Sequence, residues 1–226
     1  MQDLNSHLES LRARYRKYFF EIAENIDLQI QALKPPELSS DVFVRFANPS
    51  AGRNWQNKVL KYLCSSLLQT QKEKLSKMNS LRNSSKCIGC GVCCRCACSE
   101  FSPEELAQKA KNGDNYASQF LSVFVPYDNI SAVRKIFPEY LDLLMQNGEK
   151  KYYFYHCPKI TADNKCPEYE SRPQICKDFP DNPLSFLPLS CGFTSWKLQS
   201  EDICLKLNAE TEVLNFYIAK IKEIQK

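Results

Sequence analysis

Cys87-Ile88-Gly89-Cys90-Gly91-Val92-Cys93-Cys94-Arg95-Cys96-Ala97-Cys98 stands near the middle of the chain and decides how it is organised. Two residues between cysteines let a tight turn aim two thiolates at one ion, and Gly89 and Gly91 relieve the backbone crowding that such turns create. A looser group follows at Cys157, Cys166, Cys176 and Cys191. A dense group on one loop and a remote group downstream is how a metal staples distant segments, much of its binding energy appearing as folding energy. The ten cysteines between residues 87 and 191 exceed the roughly four that a tetrahedral zinc or a four-iron cluster takes. Two centres, and one centre with spare thiols, both fit that count. Cys96 and Cys98, at alternate positions beside this crowd, cannot all join one centre with their neighbours, so their roles stay open.

With 226 residues the chain can bury one good core and a smaller metal-held module. No apolar run approaches the ~20 residues of a membrane span, and the first thirty residues alternate charge with apolar side chains instead of forming a signal-peptide core. The expectation is a cytoplasmic protein without a membrane span. There, twelve cysteines stay reduced, and metal binding becomes the default explanation for them. The net charge of +4 is too modest for a dedicated nucleic-acid binder, and no specific nucleic-acid signal is visible. Residues 1–86 nevertheless hold 14 Lys/Arg against 8 Asp/Glu, an excess of +6. Solvated helix faces account for it; contact of the N-terminal helices with an acidic protein partner is the alternative.

Working outward from the cysteines, apolar residues recur at Leu4, Leu8, Leu11, Tyr15, Phe19, Ile22, Ile26, Ile30 and Leu33. Steps of three and four predict one long amphipathic helix, stopped by Pro35 and Pro36. Residues 42–46 read as extended chain or loop. A second helix carries Trp55, Val59, Tyr62, Leu63, Leu67, Leu75 and Met78, with Cys64 as a small buried hydrophobe and the polar residues 79–86 as a junction. Ser102, Pro103 and Glu105 supply an N-cap, a first-turn proline and a capping-box acid for a short helix ending near Gly113. Residues 129–145 predict a helical stretch with an interruption or kink at Pro138, and Asn147-Gly148 as its stop. Residues 151–156, dense in Tyr and Phe, predict a short strand. Residues 200–226 return to helical spacing through Ile203, Leu207, Leu214, Ile218 and Ile221, with Cys204 a spare thiol on that helix. The fold class is mainly α with a small irregular or β element, long amphipathic helices bracketing a loop-rich, cysteine-clustered metal-binding core. The divisions are an N-terminal helical region (1–85), the cysteine-cluster domain (86–192) and a C-terminal helix packing on the core (193–226).

The order C-x-x-C-x-x-C-C at residues 87–94, then Cys157-Pro158, Asp163, Cys166, Tyr169, Arg172-Pro173, Cys176 and Phe179-Pro180, resembles the YkgJ-type cysteine-cluster family, described as zinc- or iron-chelating. The resemblance covers about residues 86–192. It implies that Cys87, Cys90, Cys93, Cys94, Cys157, Cys166 and Cys176 are the metal-associated set. Asp181 follows Phe179-Pro180 where the family commonly has a further cysteine, and Cys191 is the substitute here. Pro167-Glu168 also departs from the family's apolar residue before Tyr. Flagellin lysine methylase-like proteins contain a similar domain, which makes a protein-modifying enzyme the alternative function.

Zinc, iron and a [4Fe-4S] cluster all suit thiolate ligation, so the metal stays open. The residues 87–93 also match the opening of a bacterial ferredoxin motif, but Ala97 stands where its fourth cysteine belongs. Arg172 can donate to carbonyls or offset thiolate charge. His156 is a strand residue able to ligate zinc, and His7 reads as an exposed helix residue. With two histidines and no phosphate-cradling glycine loop or H-x-E motif, no catalytic set can be assembled. The expected function is metal binding at a multi-cysteine centre in a structural, redox or metal-handling role.

Overall fold

The computed structural model describes residues 4–34, 49–146 and 151–225. In chain order it contains α1 (Leu4–Ala32), α2 (Pro49–Asn83), α3 (Val92–Arg95), β1 (Ala97–Ser99), α4 (Pro103–Lys111), α5 (Asn115–Val123), β2 (Val125–Pro126), α6 (Ser131–Arg134), α7 (Pro138–Gln146), β3 (Tyr153–His156), α8 (Gln174–Asp178) and α9 (Thr194–Ile224). The chain is mainly helical with one small sheet, and long helices precede and follow the loop-rich cysteine stretch. Two compact units emerge, one from Met1–Ser84 with Leu198–Lys226 and one from Ser85–Lys197.

In the first unit the apolar stripes predicted from sequence make the core. Ile26 and Ile30 of α1, Trp55, Val59 and Leu63 of α2, and Val213, Leu214, Tyr217, Ile218 and Ile221 of α9 are buried together. Each such aliphatic side chain contributes roughly 1.5–3 kcal/mol of transfer free energy before entropy is counted. Cys64 is not among them. It is exposed, because the buried Leu63 and Val59 point one way and the next residue turns about 100° round the helix. Leu33 and Leu75, expected on the packing stripes, are also exposed.

His7 is only half-exposed and its Nε2 lies 3.0 Å from Glu201 Oε1, so it is no free surface histidine. Arg14 joins the same buried carboxylate and Asp202 at 2.7 Å each, and the Tyr18 hydroxyl donates to Asp202 at 2.9 Å. These charge-assisted bonds tie α1 to α9 beside the apolar core.

The second unit is organised round a sheet of order β1-β3-β2. β1 pairs antiparallel with β3, with Ala97 opposite Tyr155, Cys98 opposite Phe154 and Ser99 opposite Tyr153. Alternation on the strands sorts the side chains onto two faces. Phe154 packs with Cys96, Cys98, Val133 and Leu141 on one; Tyr155 packs with Ala97, Leu106, Ala117 and Phe120 on the other.

The predicted capping box is complete: Ser102 Oγ accepts from Glu105 N, and Glu105 caps the Ser102 N–H in return. α5 was not foreseen; its N-cap is Asp114, whose carboxylate accepts from Ala117 N at 3.0 Å. Of the interruption or kink expected at Pro138 the structure has the interruption: α6 ends at Arg134 and Pro138 starts α7, where its missing N–H costs nothing. Residues 42–46 and the Asn147-Gly148 stop lie outside the described residues. α2 runs helically to Asn83, through part of the expected polar junction.

Candidate metal centre

The dense cysteine group is folded by two left-handed glycines and one short helix. Gly89 and Gly91 have φ of 73° and 77°, conformations that a side chain would strain. Gly91 is the residue before α3, and a Cβ there would sit 2.5 Å from Asn164 Oδ1. Asn164, itself left-handed at φ 63°, accepts from Arg95 Nε at 2.9 Å, and the Arg95 guanidinium also donates to Thr161 O at 2.6 Å. The turn at residues 161–165 is therefore locked against the first cysteine loop.

Three further contacts bring in the rest. Cys157 N donates to Cys94 O at 2.7 Å, tying the residue after β3 to α3. The Tyr169 hydroxyl donates to Cys87 O at 3.1 Å. A Cβ on Gly192 would run into the Lys86 carbonyl oxygen and lie 2.9 Å from Ile88, so the backbone beside Cys191 passes hard against the start of the loop. Asn164, Arg95 and Gly192 were not singled out from sequence; only a left-handed asparagine and a glycine at a close approach betray them, and neither leaves a pattern in one chain.

All twelve cysteines are free thiols. Cys87, Cys90, Cys93, Cys94, Cys157, Cys166, Cys176 and Cys191 are all half-buried. Cys93 and Cys94 are in sulfur–sulfur contact at 4.0 Å, and Cys90 and Cys191 perturb one another's thiols. In each pair one sulfur is the acceptor. The Cys191 thiol donates to Cys90 and brings it down to about 6 against the cost of burial, with the Val92 N–H helping. Donation to Cys90, then burial, raises Cys191. Likewise Cys93, donating to Cys94 and buried, is pushed well up, while that bond brings Cys94 to about 7 with Arg172 and Arg95 assisting. Cys176 is raised to about 11, by burial first and then by the negative charges of Cys94 and Cys157, with Arg172 opposing.

Arg172 makes the carbonyl contact expected of it. Its Nε donates to Tyr169 O at 2.8 Å, and the guanidinium lies 3.8 Å above the Tyr169 ring. His156 stacks on Tyr127 with centroids 4.6 Å apart. Cys96 and Cys98 belong to the sheet: Cys96 is buried, and Cys98 Sγ meets the Tyr140 hydroxyl at 2.9 Å. Burial raises both, Cys96 to about 12, which keeps them protonated thiols in a core.

Among the described residues no group of three or more His, Cys, Asp or Glu side chains is arranged to hold a metal ion. The thiols stand in pairs and near-neighbours, with backbone anchors that converge from residues 87–94, 157, 166–176 and 191. The donors in this set are all sulfur, which zinc and iron both accept. Among the described residues no helix is long and apolar enough to cross a membrane. An open cavity of 440 Å³ in the first unit, between Glu21, Tyr62, Thr70 and Glu210, holds no comparable chemistry, since Glu210 is taken by Thr70 and Lys74. No known family model, curated protein or solved structure matches the chain.

Proposed function

We propose that this chain is a metal-binding protein of the YkgJ-type cysteine-cluster family, holding zinc or iron through thiolates in a reducing, cytoplasmic setting. One observation supports the proposal: the segments at Cys157, Tyr169 and Gly192 are each bonded to or packed against the stretch 86–94, whose cysteine loop is built on two left-handed glycines. Random clustering of reactive thiols has no reason to recruit such backbone. Arg172 and Arg95 near Cys94 offset the charge that several thiolates would build up. Cys87, Cys90, Cys93, Cys94, Cys157, Cys166, Cys176 and Cys191 would hold the metal. Bound zinc would supply a structural cross-link, and an iron–sulfur cluster would supply electron transfer.

A structural role is favoured by the smallness of the apolar cores beside the site. Among the described residues the second unit divides its eight clustered buried residues into two groups of four, whereas the first unit's ten form one cluster. A unit with so little apolar burial gains most from a metal staple. The test is elemental analysis and a visible spectrum of the full chain purified without oxygen. Stoichiometric zinc in a colourless protein, or iron with absorption near ~400 nm, is the expected result. A fully folded chain carrying neither metal overturns the proposal.

A further inference from the structure

We infer that the outward stripe of α2 is a docking surface for an acidic amphipathic helix of another protein. The positive excess of residues 1–86 has a single source. α2 carries seven Lys/Arg against one Glu, an excess of +6, while the remainder of residues 1–86 balances at seven against seven. On α1, Arg12, Arg14 and Lys17 are paired with acids. On α2, Lys74 is paired with Glu210, whereas Arg53, Lys58, Lys61 and Lys72 are exposed and make no ion pair among the described residues.

Helix geometry gathers these cations. Steps of three and four put Lys61, Cys64, Leu68, Lys72 and Leu75 on one stripe, opposite the buried Trp55, Val59 and Leu63. Every member of the stripe is exposed, Leu68 by 68% and Leu75 by 47%. Arg53 and Lys58 flank it toward the start of the helix. Glu73, the sole acid of α2, leaves the helix about 140° round from Leu68 and is held by Gln69. The outward surface is therefore cationic on both sides of an apolar centre.

That combination selects the partner. Lysines alone would suit phosphates, but a nucleic-acid backbone offers Leu68 and Leu75 nothing apolar to cover them. A lipid surface takes up a broad apolar face, and two leucines in a row of cations do not make one. An acidic amphipathic helix supplies both halves. Leu68 and Leu75 stand about 10.5 Å apart along the axis, the repeat at which a partner helix presents apolar anchors at i and i+7. Asp and Glu beside those anchors face Lys58, Lys61 and Lys72, so that charge sets the orientation while the leucines exclude water. The inference stands apart from the metal-binding reading, because α2 belongs to the first unit and the candidate centre to the second.

The test is fluorescence anisotropy of the full chain with a labelled synthetic helix of about three heptads, leucine at its core positions and glutamate beside them. The expected result is saturable binding that weakens as salt rises from about 50 to about 300 mM. Leu68→Ser, and Lys61→Glu combined with Lys72→Glu, should each weaken it by about tenfold or more. A peptide with lysine in place of glutamate should bind the charge-reversed variant and not the wild type. Absence of binding, or binding that the variants leave unchanged, overturns the proposal. Tighter binding of a double-stranded DNA oligonucleotide, or of phosphatidylserine vesicles, that the same variants abolish would overturn it in favour of a nucleic-acid or membrane partner.

Discussion

Cys64 and Cys204 both ride on long helices, and burial separates them: Cys64 is exposed and Cys204 is buried, with Asn208 Nδ2 3.9 Å from its sulfur. Both belong to the first unit, whereas the candidate centre belongs to the second. Cys64→Ser should change stability by no more than about 0.5 kcal/mol, and Cys204→Ala should cost about 1 kcal/mol through lost packing. Urea titration checks both values, and elemental analysis should find metal content unchanged in each variant. Loss of metal on replacing Cys64 would make α2 a ligand donor and move the boundary of the site. The C-x-x-C spacing with its glycines made the first loop legible from sequence. The partition of thiols between core and site was not, because the roles of Cys96 and Cys98 stay open until the strand that turns them into the sheet face is known.

At the scale of elements, local signals were read well wherever the residues act on their own neighbours. The capping box of α4 needs only Ser102 and Glu105, and the stripes of α1, α2 and α9 need only their period. Ser102→Ala removes an acceptor for the Glu105 N–H and should cost about 1 kcal/mol, read as a lower urea midpoint at unchanged slope. An unchanged midpoint would mean that the first turn of α4 is held by its packing through Leu106 alone. β1 and α5 escaped notice for a physical reason. Three residues inside a cysteine run cannot show alternation, and β1 exists because β3 lies beside it. α5 is capped by Asp114 immediately after the left-handed Gly113, so its start hides in what reads as the end of α4.

On the scale of the whole molecule, the two units differ in what holds them. The first has helices of 29, 35 and 31 residues round a shared apolar core; the second has helices of nine residues or fewer and two small clusters. If metal supplies what the second unit lacks in burial, its removal lets the loop from Cys94 to Cys157 regain its chain entropy. Chelation under reducing conditions should therefore expose the backbone amides of residues 87–192 to hydrogen exchange and leave the central amides of α1, α2 and α9 protected. Far-UV circular dichroism should keep most of its helical signal, because the long helices carry it. Exchange confined to residues 87–98 would mean that the first loop binds metal alone and that Cys157, Cys166 and Cys176 serve another purpose. Exchange spreading equally through the long helices would show that the units do not fold independently, since a core held by Ile30, Trp55, Leu63 and Leu214 has no direct use for the metal.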